Sequence, residues 1–200
     1  LFCMVPIHES VHIQCICLSG GCAILGLLCT DHTWKDTDIV YWALAQNALQ
    51  VQSAAEGVSL QDMHITTTGA QDALVAVAGS SEGNAASLTM ERCHIKGGGI
   101  ASHDEGGAVR VVGKDSSLKC GHCTLHSHGC GLLVLQGGSA MVEHCSVSNC
   151  VNNGIRVADS STLHAAHTRV DGNVCSNIAV YNAEARLEHV SANGCKGWEG

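Results

Sequence analysis

A chain of 200 residues with 46% apolar, 14% charged and 3% aromatic residues, 23 Gly, 13 Cys, 13 His, one Pro and a formal charge of −8 is long enough for one domain with a core to bury. So much apolar content beside so little charge excludes a disordered chain; a single Pro without a Gly-X-Y period excludes collagen; the acidic balance excludes the basic stripe of a nucleic-acid binder. Scarce aromatics beside plentiful Gly, Ala, Val and Cys imply an interior filled by small side chains.

The chain starts at Leu1, as a piece of a longer protein would. Residues 11–30 carry no charged group except His12, a length that could span a bilayer. Gln14, Ser19, Gly20 and Gly21 dilute the stretch, and no basic segment precedes it as in a signal peptide. Alternation explains it better: Val11 and Ile13, Ile16 and Leu18, Leu25 and Leu27, with Gln14-Cys15 between the first two pairs. Residues 34–51 follow this scheme poorly, through Trp34, Ile39, Tyr41, Leu49 and Val51 with Asp36 at an inward slot. The segment Asp38–Gln52 is open to a short helix or a cap.

From Val58 onward the scheme is regular. Val58 and Leu60 alternate, Gln61-Asp62 turn, Met63 and Ile65 alternate, and Val75 and Val77 follow a corner. Leu88 and Met90, Glu91-Arg92, Cys93 and Ile95, Val109 and Val111 repeat it. So do Leu118 and Cys120, Gly121-His122, Cys123 and Leu125, with Leu133 and Leu135 as the third pair. Ala140 and Val142, Glu143-His144, Cys145 and Val147, Ile155 and Val157 come 22 residues later. Leu163 and Ala165, Ala166-His167, Thr168 and Val170, Ile178 and Val180 follow, and Ala185 to Ala192 begin another unit. Period-two alternation predicts strands with one buried face. Units of three short strands cannot bury that face alone and must stack on one another.

The segment SAMVEHCSVSNCVNNGIRVADS, Ser139–Ser160, resembles the right-handed parallel β-helix repeat of the pectin-lyase-like superfamily. The resemblance implies an all-β, right-handed parallel β-helix solenoid of about seven to eight rungs, three short strands per rung. Residues 1–57 would be N-terminal coils or a cap, and 58–200 the repeats. Lyases, hydrolases, esterases, phage tailspikes and non-enzymatic interaction domains share this fold, so it does not name a function. Its enzymes use acidic residues that bind calcium beside a basic residue, or carboxylates converging across a cleft. Outward positions here are Ala76, Arg110, Val134, Arg156 and Ala179 on the third strands, and His64, His94, Thr124, Ser146, Arg169 and Ser191 on the second. No acidic column stands on either face, and no catalytic residue is carried over. Arg110 and Arg156 would lie about 10 Å apart, two rungs of ladder spacing, with Val134 between them, and could grip an acidic polymer.

Stacking turns sequence columns into ladders. The inward column Met63, Cys93, Cys123, Cys145, Thr168, Val190 reads as small buried side chains. The turn supplies Gln61, Glu91, Gly121, Glu143, Ala166, Glu188, and then Asp62, Arg92, His122, His144, His167, His189. The four successive His, with Glu143 and Glu188 beside them, form a candidate binding edge: a metal or anion stripe, a pH-sensitive edge, or a stack that serves the turn. Residues 120–130, CGHCTLHSHGC, hold Cys120, Cys123, Cys130, His122, His126 and His128, half of a zinc site by composition. Tetrahedral ligation there would break the repeat register. The corner at 96–107, with His103, Asp104 and Glu105 at its tip, is long enough to carry binding.

These observations lead to a non-catalytic solenoid that presents a rigid surface to a protein or glycan partner. The alternatives are a carbohydrate-active enzyme or its inactive remnant, acting on an acidic polysaccharide, and a metal-binding protein using the His ladder. No cofactor is called for; zinc or calcium would lack a complete ligand set. Neither nucleic acid nor membrane is an expected partner. An odd number of Cys and no Asn-x-Ser/Thr site lean to an intracellular location over secretion. The ending Lys196-Gly197-Trp198-Glu199-Gly200 has no amphipathic cap, so further rungs or a cap are expected beyond it.

Overall fold

The computed structural model describes residues 58–67, 73–78, 85–97, 106–127 and 129–195 and, as backbone only, the strands that precede them. Three parallel sheets of seven, six and six strands run along one axis. Each unit contributes one strand to each sheet, as Ser116–Gly121, Thr124–His126 and Cys130–Leu135 do. The inward columns fall in register. Leu88, Leu118, Ala140 and Leu163 stack in the first sheet, Ile65, Ile95, Leu125, Val147 and Val170 in the second, and Val77, Val111, Val134 and Val157 in the third. All of these are buried. Strands of three to six residues cannot hide this apolar side by themselves, so the stacking of neighbouring rungs is what stabilises it. Among the described residues no helix is long and apolar enough to cross a membrane.

Three expectations are corrected. Residues 12–28 do not form a parallel rung: His12–Leu18 and Gly21–Leu28 pair antiparallel, with Phe2–Cys3 added on one side. Period-two alternation is common to both arrangements, but two long strands only two residues apart in sequence cannot make a crossover and can make a hairpin. The segment Asp38–Gln52 holds strands, Asp38–Tyr41 and Asn47–Gln52, with Ile39 beside Ile65 and Leu49 beside Val75. Its weak pattern is overridden by pairing to the next rung. In the third sheet Leu132 and Val134 face inward, and Leu133 faces outward between Arg110 and Arg156.

The last correction has a physical cause. Cys130–Leu135 is buried along its whole length, so no polar residue marks its outer face. Leu133 is 0% exposed and joins Cys130, Leu135 and Ala158 in a small apolar cluster outside the main core, packed on by Val112.

Candidate functional site

The two-residue turn between the first and second sheets is the most regular polar feature. Among the described residues its second residue has a left-handed backbone in every rung: φ is 54° at Asp62, 50° at Arg92, 52° at His122 and His144, 48° at His167 and 51° at His189. His and Asp tolerate this region better than most residues with a Cβ. From Asp62 to His167 the backbone N–H of this residue donates to a carbonyl one rung on, as His122 to Glu143 at 3.0 Å and His144 to Ala166 at 3.1 Å. Repetition of that geometry stacks the rings. His122, His144, His167 and His189 lie 4.9 Å apart, centroid to centroid, with planes within 5° to 13°. All four are exposed. Imidazole lone pairs lie in the ring plane, so parallel rings direct them side by side rather than toward one ion. Glu188 turns away from the stack: its carboxylate accepts from Arg186 at 2.6 Å and lies 3.6 Å from His164. Glu143 is exposed beside the ladder.

The inward column beneath the turn does more than fill space. The Cys93 N–H donates to the Cys123 sulfur at 3.3 Å, the Cys123 N–H to the Cys145 sulfur at 3.3 Å, and the Cys145 N–H to Thr168 Oγ1 at 3.3 Å. Cys145 and Thr168 also donate to the carbonyls of Glu143 and Ala166, two residues back. The expectation of plain small hydrophobes is therefore sharpened. From Cys93 to Thr168 this column carries short side chains that both accept and donate, a property thiol and hydroxyl share and that Met63 and Val190 at its two ends lack. Burial raises the thiol of Cys150, elsewhere in the core, to about 12.

Along the outer face of the first sheet runs a shallow groove of about 440 Å³. Ser117, Ser139, Thr162 and Glu184 form one row across it and Lys119, Met141, His164 and Arg186 the next. Met141 is 39% exposed at its centre. The sequence reading did not select this groove, because its residue types are ordinary and only the register aligns them.

On the second sheet His64, His94 and His126 make a tilted row, with ring centroids 5.3 and 5.8 Å apart. Burial first, then the nearby His126, His64 and Lys96, holds the imidazole of His94 below its ordinary value. The folded protein thus takes up the His94 proton less readily than the unfolded chain. Its contribution to stability is complete above the unfolded value, near 6.5, and is lost as pH falls through the lower folded value. The melting temperature is expected to drop between pH 7 and pH 5, and His94→Gln to flatten part of that drop; an unchanged slope in the variant would refute this assignment.

Arg169 bonds Asp171, with Nε 2.8 Å from Oδ2. Arg110 and Arg156 are half-buried and not freely solvated: the Nε atoms of both are enclosed, and the Arg156 guanidinium lies 5.6 Å from the centre of the Tyr181 ring. Asn152, Asn153, Cys175 and Ser176 join Arg156 and Tyr181 around a polar cleft of about 420 Å³, which the Gly/Asn composition of the corner signalled only as a turn.

Residues 120–130 do not gather into one local site. Cys120 and Cys123 face the core, His122 stands in the exposed stack, and Cys130 belongs to the outer apolar cluster. His128 and the corner tip at 98–105 lie outside the described residues. Cys120 and Cys123 instead meet Cys145 of the next rung, with all three sulfurs within 4.8 Å of one another. With Cys120 and Cys123 as hydrogen-bonding neighbours, the Cys145 thiol is held below its ordinary value against the effect of burial. Among the described residues all eight cysteines are free.

No curated protein and no solved structure matches the chain. A family described as right handed beta helix region matches residues 47–198. That span covers the parallel rungs from Asn47–Gln52 to Glu184–Glu188, and the chain belongs to the right-handed β-helix family.

Proposed function

We propose that this β-helix is a non-catalytic module whose rigid outer face holds a protein or glycan partner. The groove of the first sheet carries the reading. Three of its four rungs supply hydroxyls, Ser117, Ser139 and Thr162, and the fourth supplies Glu184, beside Lys119, Met141, His164 and Arg186. The strands that carry Ser117, Ser139 and Thr162 are hydrogen-bonded on both sides and the strand of Glu184 and Arg186 on one, so little ordering entropy is lost on binding over the first three. Hydroxyls at strand spacing beside the cations of Lys119 and Arg186 suit a polar chain such as a glycan with acidic groups.

Titration of the full chain with neutral and uronic-acid oligosaccharides, with and without calcium, tests this. Binding is expected to weaken at least tenfold in Met141→Asp, which places a carboxylate at the groove centre without touching the core. Binding unchanged by that variant overturns the groove. Shortened oligosaccharide products overturn the non-catalytic reading in favour of a polysaccharide-degrading enzyme. No binding across the panel removes the glycan and leaves a protein partner.

A further inference from the structure

We propose that Cys120, Cys123 and Cys145 form a buried trithiolate site for a soft monovalent cation of the copper(I) class. Nothing in the outer-face reading bears on it; the site lies inside the coil. The sequence places these residues by register. Cys120 is the last inward residue of its first-sheet strand, and Cys123 is the first inward residue after Gly121-His122. The Cys-x2-Cys spacing therefore wraps one turn and aims both thiols into the same corner. Cys145 repeats the Cys123 position 22 residues on.

The distances suit one small ion. Three sulfurs bound in a plane at about 2.3 Å from a metal stand about 4.0 Å from each other. Here all three lie within 4.8 Å, and the Cys120 and Cys145 sulfurs are 3.8 Å apart. Closing the cluster needs side-chain shifts of less than about 1 Å, within the reach of small rotamer adjustments.

The surroundings select for softness. Met90 is the neighbour of Cys120 in the ladder on one side and Val142 on the other. Cys93 precedes Cys123 in its column, and Thr168 follows Cys145. Thiolate and thioether groups favour copper(I), whereas zinc wants a fourth nitrogen, oxygen or sulfur donor. The nearest imidazoles, His122 and His144, stand outside the coil in their stack. The charge of bound thiolates is offset in part by backbone donors already in place, the Cys93 N–H on the Cys123 sulfur and the Cys123 N–H on the Cys145 sulfur. Loading displaces the thiol protons to solvent, with no change in oxidation state of sulfur or metal.

The repeat itself supplies variants that keep the fold. Thr168 occupies the Cys145 column one rung on, and Val142 the Cys120 column, so Cys145→Thr and Cys120→Val each copy a neighbouring rung. The full chain, reduced throughout, is titrated with copper(I) buffered by a competing chelator, and in parallel with zinc(II). One copper(I) per chain is expected to survive competition, with thiolate-to-copper absorption in the near ultraviolet and sulfur-only ligation by X-ray absorption. Affinity is expected to fall at least tenfold in Cys145→Thr and in Cys120→Val, and to hold in Cys150→Ala, which removes a buried thiol outside the cluster. The melting temperature of each variant without metal confirms that it is folded. Should a variant unfold, protection of the three thiols from alkylation by copper(I) in the unmodified chain decides instead. Equal copper binding in the folded cluster variants, a preference for zinc(II), or no protection overturns the proposal.

Discussion

Replacing Gly154 by alanine is expected to destabilise the protein by about 3 kcal/mol, at the upper end of what overpacking costs. Gly154 sits in the corner between the second and third sheets. A Cβ there would lie 2.5 Å from Asn173 Nδ2, 2.6 Å from the Asn177 carbonyl oxygen and 2.6 Å from Val170 Cγ1. The carbonyl belongs to the next rung and receives the Ile155 N–H at 2.8 Å, so it cannot retreat without breaking the ladder. The effect arises from close approach alone. Gly137→Ala makes the contrast: that glycine has φ of +81° but an added Cβ would meet only ordinary van der Waals contact, the nearest at 3.5 Å, so only about 1 kcal/mol of backbone strain applies. Chemical denaturation of the two variants checks the order. A loss below 1 kcal/mol at Gly154 would show that the corner can yield.

Asn173→Ala is the second large effect, expected at about 2–4 kcal/mol from two lost hydrogen bonds and one stranded buried donor. Asn173 is 0% exposed. Its Oδ1 accepts the Cys150 N–H at 2.9 Å, and its Nδ2 donates to Asn177 Oδ1 at 2.9 Å. Asn177 Nδ2 in turn donates to the Asn193 carbonyl at 3.1 Å. This chain of amides ties successive rungs at a corner that has no strand ladder. Truncation leaves the buried Cys150 N–H without its acceptor. Because Asn173 is one of the groups that Gly154 approaches, the double variant Gly154→Ala/Asn173→Ala is expected to lose less than the sum of the two. Additive losses would mean that the clash falls on the Asn177 carbonyl instead.

Much of the interior was legible without coordinates. Apart from Leu133 and Leu135, the inward pairs from Val58 to Val170 stand where alternation put them, because outward polar residues such as Thr89, Lys119 and Glu143 marked the phase. The His column was legible for the same reason: a constant two-residue turn keeps one residue per rung in step. Phase was lost where those markers vanish. Cys130-Gly131-Leu132-Leu133-Val134-Leu135 contains no polar residue, so an outward leucine could not be told from an inward one. The antiparallel hairpin at 12–28 failed for a different reason, since alternation reports which face is buried and not which strand lies alongside. The thiol cluster was half legible. The Cys123–Cys145 column follows from the period, but the approach of Cys120 to Cys145 across a corner depends on the turn of the backbone, which no spacing rule encodes.

The invariant turn has a consequence for the shape of the rod. Between the first and second sheets the chain always takes the same step, from Gln61 to His64, Glu91 to His94, Gly121 to Thr124, Glu143 to Ser146 and Ala166 to Arg169. Between the second and third sheets the step varies, from Lys96 to Gly107 in one rung and His126 to Cys130 in the next. The step from the third sheet back to the first also varies, Ala78 to Ala86 in one rung and Val112 to Ser116 in the next, so the solenoid has one smooth edge and two ragged ones, and tolerance for added sequence lies on the ragged two. A single residue inserted on the smooth edge would move the next turn residue out of its left-handed backbone, and the imidazole stack would end at that rung.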